Sequence, residues 1–366
     1  MNALMYKPDW AEARARLTQW WNGGDIGRPV MIIRTPRRHP HEDIPEMPKP
    51  DGWITDYSTK SLDYRVNLAL RACLNCDYLG EATPNAAVGD LGPNCLALFL
   101  GSSAVEMPDT VWFTPCIEDP QKAVFTYDSD NFYWNFCLTA YKTVAPLAKG
   151  KFYQKFPDLI EGLDTLAAMR GAERLLEDMI DRPEWVHQAL RRITALYFRY
   201  YDALYEILRD EDGGSFFWCW APGRTAKFQC DYSAMISPAM FREFMLPVLE
   251  EMCEKVDYPL YHWDGPDALR HQDALLSLDK LKMIQWQPGA GAEPAWHPRW
   301  WPMYHRNLAA GKKMLVHIAG RGREVEERLL ALKKEFGSQM KGMMLTLWAP
   351  DSETAMKWLD MMTIDE

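Results

Sequence analysis

The chain has no run of Lys or Arg long enough to follow a phosphate backbone, and its net charge is −10. Nucleic acid is therefore not an expected partner. No segment reaches the roughly 18 uninterrupted apolar residues of a membrane helix, so no membrane partner is expected either. The stretch MNALMYKPDWAEARARLTQWW reads as an amphipathic helix and lacks the apolar block of a signal peptide. No GxGxxG follows the first strand pattern, which argues against a dinucleotide fold. No repeat, low-complexity tract or linker divides the chain. The 8 cysteines are scattered. Without an export signal they are expected to be reduced thiols in a cytoplasmic protein. Cys73 and Cys76 have CxxC spacing, but no second pair completes a zinc site, so ordinary helix positions are the simpler reading.

Aromatic residues are abundant: 16 Trp, 16 Tyr and 14 Phe among 366 residues. A buried Trp needs a partner for its N–H, and several of these residues fall where strand patterns end. The first half of the chain is irregular. A helix is expected over 8–21, a strand over 28–36, a helix over 60–78 and a strand tip at 86–94. An aromatic β-hairpin is expected over 109–128, as a subunit contact of a homodimer or a lid. The second half alternates strand and helix five times. Pro183 opens one helix, and Ser237 is the expected cap of another. Alternation of this kind predicts a parallel sheet with helices outside. At this length the economical solution is an α/β fold of the (β/α)8 barrel type, with an open doubly wound sheet as the alternative. The expected division is an N-terminal helical and hairpin extension over 1–80 and a barrel over 81–366.

A barrel places its active site at the carboxyl ends of its strands. Trp218 and Trp220 end one strand pattern, and His262, Trp263 and Asp264 the next. Trp286 and Gln287 end the following one, then His317, then Trp348. Asp90 sits at an early strand tip, and Arg34 ends the first strand. The expected mouth is an aromatic-walled cup for a small molecule, with these residues binding substrate; the alternative for Trp218, Trp286 and Trp348 is that they fill the interior. His262 and Asp264 are spaced i, i+2, which on a strand places both on one face and Trp263 on the other. A histidine beside an aspartate suits proton transfer or metal binding. Asp231, on an expected loop over 223–238, pairs with Asp264 as an acid/base candidate. His262, Asp264 and Cys230 are the candidate metal ligands. Asp267 and His271 read as a capping acid and a surface pair. The turn QPGAGAEP offers backbone N–H groups to an anion, or is simply flexible.

Four segments together carry a resemblance: FPDLIEGLDTLAAMRGAERLLEDMIDRPEWV, ISPAMFREFMLPVLEEM, the tip YHWDG, and IQWQPGAG. Over roughly residues 85–366 the chain resembles the uroporphyrinogen decarboxylase superfamily. That group consists of (β/α)8 barrels, includes the corrinoid-linked methyltransferases, and is related to cobalamin-independent methionine synthase. In the methyltransferase branch a His-x-Cys strand tip and a later Cys hold zinc. Here the tip is His262-Trp263-Asp264, and the last strand ends in Trp348-Ala349-Pro350. Only His262 carries over, with Asp264 offering an oxygen where that branch has a thiolate. The decarboxylase branch grips propionates with an Arg-rich N-terminal motif. RTPRRH (34–39) is basic but lacks it, so coproporphyrinogen is not the expected product.

Three functions follow. The first is methyl transfer from a small methylated compound to a corrinoid- or folate-type acceptor, with zinc as the implied metal and a corrinoid protein as the implied partner. The second is a cofactor-free glycoside hydrolase or lyase using Asp231 and Asp264, with Trp platforms for the rings. The third is a non-catalytic small-molecule binding barrel.

Overall fold

The computed structural model describes residues 3–364. Its strands are Val30–Pro36 (β1), Cys76–Gly80 (β2), Asn85–Ala86 (β3), Ser103–Glu106 (β4), Val111–Thr114 (β5), Tyr153–Gln154 (β6) and Ser215–Phe216 (β7). Trp220–Ala221 (β8), Thr225–Gln229 (β9), Tyr258–Asp264 (β10), Met283–Gln287 (β11), Lys313–His317 (β12) and Met343–Trp348 (β13) follow. The main sheet runs β2-β1-β13-β12-β11-β10-β9. Six of its strands are parallel, and β2 lies antiparallel on the edge. The α/β class and the parallel sheet are as expected from the alternation.

The ring of eight strands is not formed: β2 and β9 are the two edges, and among the described residues no ladder joins them. Besides two small antiparallel hairpins, the intervening chain supplies the two-residue parallel pair β3–β6 and single links such as Phe156 N–H to the Phe216 carbonyl at 3.1 Å. Pro84 and Pro157 border this pair, and a proline has no N–H to give a ladder. The expected 80/81 boundary also needs correcting. Residues 1–80 are no separate extension, because β1 pairs with β13 and with β2 inside the main sheet.

Two further elements lie elsewhere than expected. The antiparallel hairpin is β4–β5: its second strand is the first of the two expected in 109–128, but its partner lies upstream at Ser103–Glu106, and residues 123–128 form no strand. More consequentially, the stretch expected as a loop over 223–238 begins with β9, a sheet strand buried along its length. The 216–220 segment instead forms the small hairpin β7–β8, with Phe217, Trp218 and Cys219 as its turn.

Pairing register sorts the side chains, since paired residues of parallel strands share a face and successive residues alternate. One face carries Lys227 and Gln229, His262 and Asp264, Gln285 and Gln287, His317, Thr346 and Trp348, and Arg34. The other carries Phe228, Tyr261, Trp263, Ile284 and Trp286, all buried in the core. Helix 183–208 opens at Pro183, and Ser237 Oγ accepts from Met240 N–H, so both expected helix starts are present.

The helix Trp10–Trp21 lies at the opposite end from the strand tips. Trp21 Nε1 donates to the Trp220 carbonyl at 2.9 Å and its ring meets Tyr258, the first residue of β10. Lys313, the first residue of β12, stacks its ammonium over Trp20 at 4.2 Å. Glu81, just past β2, is fully buried. It accepts a bidentate pair from Arg28 (2.7 and 2.8 Å), one bond from Arg16 (2.6 Å) and one from the Met31 N–H (3.0 Å). This carboxylate ties the helix, β1 and β2 into one corner.

Candidate metal centre at the strand tips

β9 and β10 run in register, so His262 sits beside Gln229 and, on its other side, beside Gln285. Two residues further on, Asp231 and Asp264 leave the strand ends on the same face. One ligand atom each from Asp231, His262 and Asp264 lies within 4.8 Å of the others. His262 Nε2 is 4.0 Å from Asp264 Oδ2. The ring is held from behind, where Nδ1 bonds Gln285 Oε1. With the amide oxygen turned to it, Nδ1 carries the proton and Nε2 keeps its lone pair toward the two aspartates. Burial, followed by the nearby Lys227 charge, lowers the His262 pKa. The imidazole is therefore neutral at neutral pH, as a metal ligand must be.

Asp264 Oδ1 is buried and has no hydrogen-bond partner. The turn after β11 passes beside it: a Cβ on Gly289 would stand 3.6 Å from Oδ1. A buried carboxylate oxygen without a donor is costly, and a cation between the two aspartates removes that cost. Asp231 is reached by solvent at the mouth, yet its pKa is pushed up to about 6, first by desolvation and then by the like charge of Asp264.

Asp231 is positioned from below. Gln229 Nε2 donates to Asp231 Oδ2 at 3.0 Å and to Asp164 Oδ2 at 3.3 Å, and Gln229 Oε1 accepts from Lys227 Nζ. Asp164, in the first turn of helix 162–170, accepts from the N–H groups of Asp231 and Tyr232, both at 2.8 Å. Burial, then the Asp231 charge, lifts its pKa to about 6 as well. Lys227 is buried in mid-strand and also pairs with Asp158. Glu161, wholly buried, accepts from Gln229 N–H at 2.7 Å, and its burial pushes its pKa well up. The segment carrying these acids holds Ile160 at φ 58°. A β-branched residue in this region is strained, and here the strain falls between Asp158 and Glu161.

The expected residues divide accordingly. His262, Asp264 and Asp231 converge. Trp218 stands 6.1 Å from the His262 ring, centroid to centroid, in the same mouth. Gln287 and Trp348 are exposed strand-end residues on the site face. Arg34 shares that face, its guanidinium 5.9 Å from the Tyr78 ring. Asp90 is half-buried nearby, accepting from Asp158 N–H at 3.3 Å, and Arg65 fixes its loop by donating to the Val88 and Asp90 carbonyls; desolvation of its carboxyl raises the Asp90 pKa.

Five placements are corrected. Cys230 lies on the opposite face from Gln229 and Asp231, buried, and joins no ligand cluster among the described residues. Burial pushes its thiol pKa far up, away from the thiolate a metal requires. Trp263 and Trp286 face the core, edge to face at 5.2 Å, with Trp300 packed behind. Trp220 is buried against Trp10 and gives its N–H to Asp210. These three indoles are structural and out of reach of a ligand in the mouth. His271 is likewise no surface residue: it is buried, bonds the Ser233 carbonyl and stacks on Phe241, while Asp267 is exposed.

Sequence reasoning missed Asp164, Lys227, Gln229, Asp158 and Glu161. A signal existed in Lys227-x-Gln229-x-Asp231, a polar stripe at period 2 next to the same spacing in His262-x-Asp264 and Gln285-x-Gln287.

No protein-family model and no curated protein matches the chain.

Proposed function

We propose that the chain is an enzyme of the cytosol that binds a divalent cation through Asp231, His262 and Asp264 and acts on a small methylated compound. Its reaction is methyl transfer to a corrinoid- or folate-type acceptor, on a strand arrangement that amounts to an incomplete (β/α)8 barrel. The observation that carries the metal reading is the convergence of these three ligand atoms, with the imidazole oriented by Gln285. The methyl-transfer reading rests on the resemblance of the YHWDG and IQWQPGAG segments to the uroporphyrinogen decarboxylase superfamily. Eight free cysteines support the reducing compartment.

Three protein ligands leave a coordination position open, the pattern of a catalytic rather than a structural site. Two carboxylates and one imidazole suit zinc or a harder ion such as manganese. The three ligand atoms lie within 4.8 Å of one another, where one ion could gather them. Held by Asp231, His262 and Asp264, such an ion would supply Lewis acidity toward the heteroatom of the methylated compound. The chain's own residues do the rest. Gln285 holds the imidazole tautomer, Gln229 and Asp164 fix Asp231, and Trp218 walls the mouth beside His262.

The glycoside reading has one observation in its favour. A carboxyl raised to about 6 beside a second carboxylate suits a general acid. Elemental analysis of purified protein separates the two. Methyl transfer predicts about one equivalent of divalent metal, lost in His262→Ala. A metal-free protein that cleaves aryl glycosides in the presence of a chelator, and fails to do so as Asp264→Asn, overturns it.

A further inference from the structure

We infer that the cavity between Asp231 and the β4–β5 hairpin is a subsite for an apolar arm of the ligand, with Trp112 as its specificity-determining wall. The inference rests on the reading of Asp231 as part of the reaction centre. The cavity has a volume of about 390 Å³ and is two-faced. Gln229, Asp164 and Asp231 form its polar end, and Asp231 is the residue it shares with the cation cluster. Val111, Trp112, Phe113, Ile160 and Met235 form its apolar walls. An apolar cavity of about 150 Å³ is enough to take benzene. This one has room for an aryl or branched-alkyl group whose polar end reaches Asp231.

Exposure supports an occupant. Trp112 is 65% exposed and Met235 50% exposed, although both are large and apolar. They line a cavity that shares Asp231 with the cation cluster. Apolar side chains gathered there gain when a ligand covers them.

The wall is fixed rather than loose. The Gly92 turn runs close under the hairpin: at φ 103°, a Cβ there would stand 3.1 Å from Val111 Cβ. Glu106, on the first hairpin strand, accepts from Ser58 Oγ at 2.8 Å and pairs with Lys60. Past the second strand, the N–H groups of Cys116 and Ile117 both donate to the Met169 carbonyl at 2.8 Å. A wall anchored on both sides keeps its shape before the ligand arrives, which lowers the entropy lost on binding.

The test uses benzyl alcohol as the probe, observed by saturation-transfer NMR on the full chain, with methanol as the control lacking the arm. Wild-type protein should saturate the benzyl ring and give no signal for methanol. Ala167→Phe fills the cavity from the helix side and should weaken benzyl alcohol binding at least about tenfold. Trp112→Ala, on the exposed wall where the fold is least disturbed, should weaken it several-fold. Thermal melts identify any variant that has not folded. Equal binding of benzyl alcohol to wild type and to both cavity variants overturns the subsite, and so does absence of ring saturation in wild type. If the protein binds no metal yet the probe binds and is expelled by Ala167→Phe, the subsite stands and only the metal reading falls.

Discussion

Asp231 is drawn toward its protonated form by desolvation and by a neighbour it must cooperate with. Its pKa lies near 6, where desolvation and Asp264 have pushed it, while burial has pushed His262 the other way. A cation at the cluster must displace the Asp231 proton. Divalent-metal affinity should therefore rise as pH increases from 5 toward 6, by up to about tenfold per unit for one displaced proton. It should level off above about 6.5. Competition against a chromophoric chelator across this range measures it, and a slope of two protons would mean that His262 is still charged. The stability linkage runs with the opposite sign. A carboxyl whose folded pKa is raised stabilises the folded state below its unfolded value, and that contribution is lost as pH climbs through about 6. Metal-free protein should accordingly gain from Asp231→Asn when its melting temperature is compared at pH 7.5.

At the scale of elements, the parallel sheet was legible because β10 to β13 are apolar runs separated by amphipathic helices. β9 was not, and the reason is physical. Its inward residues are Lys227 and Gln229, which pair with Asp158, Asp164 and Asp231. A strand that serves the site spends its hydrophobic positions on polar groups, so it reads as a loop. The same cause hid the acids of 158–164, which look like an ordinary charged helix start. His262 and Asp264 were legible because their i, i+2 spacing survives any error in strand limits. Cys230 and Trp220 were misplaced because the strand containing the first, and the hairpin containing the second, were drawn wrongly. The β1–β2 corner offers a separate test. Glu81 is a buried carboxylate surrounded by two arginines and a backbone N–H. Removing one member of such a set leaves buried charge uncompensated, so Glu81→Ala should cost about 3–5 kcal/mol in urea unfolding. A loss below about 1 kcal/mol would mean that the corner is solvated.

Taken whole, the molecule is closed at one end and open at the other. The indoles of helix 10–21 occupy the end where β10 and β12 begin, and the polar residues of six strands emerge at the end where they finish. No helix among the described residues is long and apolar enough to cross a membrane. Trp218 stands at the open end with its ring 6.1 Å from the His262 imidazole, while most of the other indoles are locked in the interior. The chain thus contains its own optical reporter. Cobalt(II) settling on His262 should quench Trp218 in preference to the other indoles, and Trp218→Phe should remove most of that metal-dependent quenching while leaving the metal-independent emission in place.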